Sequence, residues 1–289
     1  MPFLLPLAER VARIALRRRG FSSRVIAVGG AQVHAYEADG HGALPPLAVL
    51  HGIGSAAAAF ARVLAGVQPH VRRVVAPEMP GHGFSPAPPF PMTPDKLMDV
   101  MTEALDALLP EPAIVCGNSL GGAVALHYAL ARPEKVLGLV LLSPAGLKLP
   151  AAELDELKRT FHFDTNRDSR RFLERLYHRR PPLLALLARE VRSQMSRPVV
   201  RHLLESVTPE HGLEPHELNG LNVPTLFLWG ASERILPAVM LETFREHLPA
   251  HAEVEHPEGM GHCPHLDAPR HVVERIVRFA RDVDAKRCA

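Results

Sequence analysis

Ala113-Ile114-Val115-Cys116-Gly117-Asn118-Ser119-Leu120-Gly121-Gly122 runs from four apolar residues into a serine set between glycines, and an alanine- and leucine-rich helical pattern follows at once through Ala131. The stretch reads as a short buried strand, a sharp turn and a helix. A serine on such a turn sits in a strained backbone, and neighbours without a Cβ relieve the crowding. The turn would lift the Ser119 hydroxyl out of the sheet beside the N–H groups of the helix's first turn, where the dipole favours developing negative charge. That arrangement suits attack on a carbonyl carbon. Taken alone, the pentapeptide also fits a glycine-rich helix entry with a surface serine, so the rest of the chain has to decide.

Working outward, Leu47 to Leu50, Val71 to Ala76 and Val136 to Leu142 are further short apolar runs, with helical patterns over Ala56 to Ala65 and Asp95 to Leu109. Upstream, Arg24 to Val28 and Gln32 to Glu37 flank Gly29-Gly30, a hairpin signal. Strands that are apolar throughout and alternate with helices indicate a mostly parallel sheet covered on both faces. The alternation stops over residues 149–219, which are helical, charged and without a strong strand, and resumes with Thr225 to Trp229, a helix Ala238 to His247, Ala252 to His256 and a final helix from about Asp267 to Asp282. The expected architecture is one α/β domain, residues 21–148 and 220–289, with a mostly parallel eight-stranded sheet and a helical lid, residues 149–219, inserted after the sixth strand.

The 289 residues are 47% hydrophobic, ample for a sizeable core. Lys+Arg 33 against Asp+Glu 31 gives no argument for nucleic acid or a strongly charged substrate, and the 17 histidines lack metal-ligand spacing. No metal and no cofactor is expected. Cys116, Cys263 and Cys288 form no disulfide framework, and Cys116 reads as a small core residue. Residues 1–20 place Leu4, Leu7, Val11 and Ile14 at helical spacing among Arg10, Arg13, Arg17, Arg18 and Arg19. This is a basic amphipathic helix, interrupted too early by Glu9 and Arg10 to span a bilayer and lacking a cleavage site. It would either rest on an anionic membrane surface or pack on the body of the protein, which makes the expected location cytoplasmic or peripheral at a membrane.

A serine nucleophile needs a base, an orienting acid and two N–H donors for the oxyanion. The base candidate is His262, in Glu258-Gly259-Met260-Gly261-His262-Cys263-Pro264-His265 between the last strand and last helix, with glycines that let the loop turn sharply. His265 is the fallback, and Asp267 reads as a helix N-cap ahead of Ala268-Pro269. The acid candidate is Glu233, in the loop Trp229-Gly230-Ala231-Ser232-Glu233-Arg234, set against a surface pairing with Arg234 or Arg245. Glutamate is longer than aspartate by about 1.5 Å, so its loop must sit further back. After the strand that follows the Ser119 helix, Ser143-Pro144 offers no acid. In His51-Gly52-Ile53-Gly54 the Ile53 N–H is the expected oxyanion donor alongside that of Leu120, with Gly54 as an option.

With these four motifs in order, the sequence resembles the α/β-hydrolase fold superfamily from about Phe21 to the end. Glu78 to Ser85 is similar to the family loop D-x-x-G-x-G-x-S, with glutamate in place of the usual aspartate, and Glu233 departs from the commoner aspartate in the same way. Gly117 to Gly122, Leu141 to Leu147 and the insertion resemble both monoacylglycerol-lipase-like esterases and the C–C bond hydrolases of ring meta-cleavage products. Asp164-Thr165, Phe172-Leu173, Leu176 and Pro181-Pro182 favour the former. The resemblance implies a serine hydrolase acting on a carboxylic ester with an apolar acyl chain, with Ser119, His262 and Glu233 as triad. Gly52, Phe161 and Phe163 would face substrate, with Phe172 and Leu183 as further lid residues against the pocket. The rivals are a C–C hydrolase, which would want a cation for its substrate's carboxylate, and a small-molecule receptor that retains the triad. Epoxide hydrolases and haloalkane dehalogenases carry aspartate at the turn, which disfavours them here.

Overall fold

Segments with no polar residue on either face are satisfied only between two layers of helix, and the computed structural model, which describes residues 4–182 and 184–288, places them there. Among the described residues eight strands form one sheet in the order β1-β2-β4-β3-β5-β6-β7-β8. They are β1 (Ser22–Val28), β2 (Ala31–Asp39), β3 (Leu47–Leu50), β4 (Arg73–Pro77), β5 (Ala113–Ser119), β6 (Val136–Pro144), β7 (Thr225–Leu228) and β8 (Glu253–Glu255). The β1–β2 and β2–β4 pairs are antiparallel and the others parallel. Every residue of β3, β5 and β7 is buried, whereas β1 and β8 are partly exposed edges. The β8 edge is three residues long and charged, with Arg275 bridging Glu253 and Glu255, which blunts it against further pairing.

The helices are α1 (Leu4–Arg17), α2 (Ala61–Val67), α3 (Pro94–Leu108), α4 (Leu120–Ala131), α5 (Ala151–Thr160), α6 (Asn166–Leu176), α7 (Leu184–Met195), α8 (Pro198–Ser206), α9 (Ala238–His247), α10 (Pro264–Asp267) and α11 (Pro269–Cys288). One core joins α3, α4 and α9 to one face of the sheet, and a second joins α2 and α11 to the other. Helix α4 is apolar on nearly every side because the sheet and α3 enclose it. Helices α5 to α8 occupy the break between β6 and β7 and pack over the carboxyl ends of the strands.

Two sequence expectations need adjustment. The helix after β3 starts as a 3₁₀ turn, Ala57–Phe60, before α2. Asp267 does not cap the last helix, because it ends the short α10 and its carboxylate accepts from the N–H groups of Gly261 and His178 instead. Helix α1 packs through Leu16, with Leu5, Glu9, Ala12 and Arg13 half-buried, while the stripe Leu7, Val11 and Ile14 faces solvent. The side chain of Leu4 and the position of Leu183 lie outside the described residues.

Candidate functional site

The parallel register sets Leu50 beside Gly117, so β3 and β5 end together and deliver the His51 loop and Ser119 to one place. Ser119 adopts φ 54° and ψ −120°, a conformation that costs a non-glycine residue about 1–3 kcal/mol. The glycines two positions to either side cannot carry a Cβ. One on Gly117 would lie 2.0 Å from the Gly121 carbonyl oxygen, and one on Gly121 would lie 2.3 Å from that of Leu50. The glycines of the turn are therefore fixed by close backbone approach, and the strain at Ser119 is held by its packing.

Two loops beyond β7 and β8 bring the other candidates in. They stay laced after the strands end, through N–H donation from Trp229 to Glu255 O, Ala231 to Pro257 O and Ser232 to Met260 O. Gly230 permits this, since a Cβ there would sit 2.4 Å from the Met260 carbonyl oxygen. At the end of the lacing Glu233 Oε2 meets His262 Nδ1 at 2.7 Å, with both side chains almost fully buried at 3% and 4% exposure. Glu233 Oε1 accepts from the N–H groups of Ile235 at 2.7 Å and Leu236 at 3.1 Å. Burial alone would raise the Glu233 pKa, but the His262 imidazole and these donors outweigh it and hold the carboxyl below its ordinary range. The surface pairing with Arg234 or Arg245 does not form, as the Arg234 guanidinium donates to the Tyr177 carbonyl.

The His262 loop is also tied to the turn. Asn118 Nδ2 donates to His262 O at 2.9 Å and to Leu142 O at 2.8 Å. From the other side His262 N–H donates to Leu176 O of α6. Gly261 serves contact more than turning, because a Cβ there would lie 2.9 Å from the His178 nitrogen. Ser143 has φ 41° and a buried hydroxyl without a partner among the described residues, so β6 ends in a second strained turn.

Ile53 and Leu120 line the same cavity as Ser119. Leu120 opens α4, so its N–H has no acceptor one turn earlier in the helix. The loop that carries Ile53 is fixed by His51, which sequence reasoning used only as a marker. The Met79 N–H donates to His51 Nε2 at 3.0 Å, so the proton sits on Nδ1 and is donated to Gly52 O at 2.8 Å. Burial lowers the His51 pKa and keeps it in that neutral form. Glu78 is completely buried and joins three segments, accepting from Ala57 N–H, Phe84 N–H and His34 Nδ1.

Ser119 lies between two cavities. One, of ≈ 150 Å³, is walled by α3, α4, α5 and α8 with Leu97, Leu147, Leu154, Leu157 and Leu203. The other, of ≈ 250 Å³, holds His262, Gly52, Asn118 and Phe172 and is closed in part by Leu5, Ala8 and Glu9 of α1. Phe161 lines both. Phe163, the other lid phenylalanine expected to face substrate, lines neither. It packs on the Phe172 ring at 5.1 Å and faces an outer depression with Lys158 and Arg159, because the chain turns outward after Phe161. Cys116 is buried in β5, where desolvation pushes its thiol up to about 12. Among the described residues no three His, Cys, Asp or Glu side chains cluster as metal ligands would.

The model of the alpha/beta hydrolase fold family matches residues 45–269. The chain belongs to the α/β-hydrolase fold family. It is 30% identical over 261 residues to a pimeloyl-[acyl-carrier protein] methyl ester esterase of Xanthomonas axonopodis pv. citri, covering 84% of this chain and 97% of that protein. Over 111 residues, 37% of this chain and 39% of the relative, it is 40% identical to a 2-hydroxymuconate semialdehyde hydrolase of a Pseudomonas species. Among solved structures, a membrane phospholipase A superposes with a TM-score of 0.81 at 24% identity, over 98% of this chain and 93% of that one. The similar proteins of this family are hydrolases, esterases and lipases among them.

Proposed function

We propose that this chain is a cofactor-free serine hydrolase, a carboxylic ester hydrolase that works through an acyl-enzyme on esters with an apolar acyl chain. The observation that carries the reading is a strained serine opening onto a leucine-lined cavity beside a histidine held by a buried carboxylate. Ser119 Oγ attacks the ester carbonyl while His262 Nε2 takes its proton. Glu233 keeps the His262 proton on Nδ1 and stabilises the imidazolium. The N–H groups of Ile53 and Leu120 receive the oxyanion, each such donor contributing roughly 3 kcal/mol to the barrier. His262 then returns the proton to the leaving alcohol, and water repeats the sequence on the acyl-enzyme.

Residues 149–219 are read as a lid, since α5 to α8 supply the cavity walls that the sheet cannot. The esterase reading is favoured over C–C cleavage by the charge of the walls. Lys158 is the one lysine or arginine among the described residues lining the ≈ 150 Å³ cavity, and its Nζ donates to the Glu205 carbonyl at 3.4 Å, while the ≈ 250 Å³ cavity has none. Of the lid arginines, Arg175 is engaged with Arg234 O and Arg192 with Asp164 O. The solvent-facing Leu7, Val11 and Ile14, flanked by exposed Arg10, Arg17, Arg18 and Arg19, suit a peripheral contact with an anionic bilayer. Hydrolysis of p-nitrophenyl esters by the wild type and its loss in Ser119→Ala tests the activity, and absence of turnover in the wild type would support the receptor reading instead.

A further inference from the structure

The two cavities that meet at Ser119 are chemically unlike, and the position of His262 says which part of an ester belongs in each. In the tetrahedral intermediate the carbon bonded to Ser119 Oγ carries three other groups: the oxyanion, the leaving oxygen and the acyl chain. The leaving oxygen must come within hydrogen-bond reach of the imidazole that protonates it. His262 lines the ≈ 250 Å³ cavity and is absent from the walls of the ≈ 150 Å³ one, whereas Leu120 lines only the smaller. Resting on the ester-hydrolase reading above, we propose that the smaller cavity is the acyl chamber and that the larger one, closed by the N-terminal helix α1, is the alcohol chamber.

The walls then define the substrate. The acyl chamber is bounded by leucines of α3, α5 and α8. A cavity of about 150 Å³ lined by aliphatic side chains accommodates a benzene molecule, so the chamber takes an unbranched acyl chain of about six carbons. Longer chains must displace lid side chains. The alcohol chamber is larger and carries hydrogen-bonding groups, Glu9, Ser55, Tyr177 and Gln194, with Glu9 its one charged residue among those described. Burial raises the Glu9 pKa, as befits a carboxyl facing a partly dry cavity. The alcohol it fits is bulkier than methanol and bears hydroxyl or amine donors. Helix α1 is thereby a specificity element as well as a surface one, with Leu5, Ala8 and Glu9 turned to the substrate.

Two substrate series separate the chambers. With p-nitrophenol as the constant leaving group, acyl chains from acetate to dodecanoate are compared in wild type, Leu157→Trp and Leu157→Ala. With hexanoate as the constant acyl group, methyl and glyceryl esters are compared in wild type and Ala8→Trp. The expected wild-type kcat/KM peaks near hexanoate. Leu157→Trp should lower the hexanoate-to-acetate ratio at least tenfold, and Leu157→Ala should move the peak to longer chains. Ala8→Trp should lower the glyceryl-to-methyl ratio about tenfold while the peak of the acyl series stays in place. Exchange of the two effects, with Leu157 variants altering alcohol preference and Ala8→Trp altering chain length, would overturn the assignment. So would folded, active variants with unchanged ratios. A wild type that hydrolyses no ester in either series would instead overturn the ester-hydrolase reading beneath it.

Discussion

Glu233→Gln exchanges one oxygen for nitrogen, and its consequence follows from where the two carboxylate oxygens already point. Oε1 accepts from two backbone N–H groups, those of Ile235 and Leu236, while Oε2 meets His262 Nδ1. An amide in that place must keep its oxygen toward the two N–H groups, since its NH₂ there would set donor against donor. The NH₂ then faces Nδ1, which has to accept. The imidazole proton is driven to Nε2, the atom that must take the proton from Ser119. The same tautomer reversal in a serine-protease triad lowers kcat about 10⁴-fold, equivalent to about 5.4 kcal/mol of barrier. Initial rates on p-nitrophenyl butyrate at neutral pH measure kcat, and a thermal melt shows that the variant is folded. A folded Glu233→Gln protein with kcat within tenfold of wild type would refute the reasoning.

Three further outcomes follow from other parts of the molecule. Asn118→Ala leaves the carbonyls of Leu142 and His262 without their donor, at about 1–3 kcal/mol each if they stay buried, and frees the His262 loop. The measured result should be a lower urea midpoint together with a kcat reduced more than KM is raised, and an unchanged kcat would remove Asn118 from its positioning role. His82 and His265 are fully buried, and desolvation first, then neighbouring histidines, pushes both down to about 3 from 6.5. Between those values the unfolded chain binds protons that the folded chain refuses, so stability falls as pH drops below 6.5, by up to about 1.4 kcal/mol per pH unit for each histidine. A His82→Gln, His265→Gln double variant should show a shallower fall in urea midpoint between pH 7 and pH 5, and identical slopes would contradict this. On liposomes containing anionic lipid, the wild type should float with the vesicles and a Leu7→Glu, Val11→Glu, Ile14→Glu variant should not, while equal flotation would exclude α1 as the contact.

The sequence carried the sheet well because its central strands are apolar on both faces and separated by helical periodicity, a pattern with few alternative structures. Ser119, His262 and Glu233 were legible for a related reason, each standing at a strand's carboxyl end among glycines. What lay beyond reach was tertiary contact. Asp267 looked like a cap because Ala268-Pro269 follows it, yet its acceptors were claimed by Gly261 and by His178 from the insertion. Phe161 and Phe163 are two residues apart, and no periodicity says which one turns inward once the helix has ended at Thr160. Asn118 is one of the two unspecified residues of the turn motif, and its bond to the His262 carbonyl spans 144 positions. For α1 the sequence leaves a membrane surface and the body of the protein both open, and only the fold shows Leu7, Val11 and Ile14 facing solvent.

The central claim is that Ser119 is the nucleophile of an ester hydrolase. A fluorophosphonate probe followed by peptide mapping tests it most directly. The account predicts a single modified residue, Ser119, with labelling abolished in Ser119→Ala and strongly slowed in Glu233→Gln, in step with the loss of ester hydrolysis. Labelling at another serine, or full esterase activity in Ser119→Ala, would contradict it.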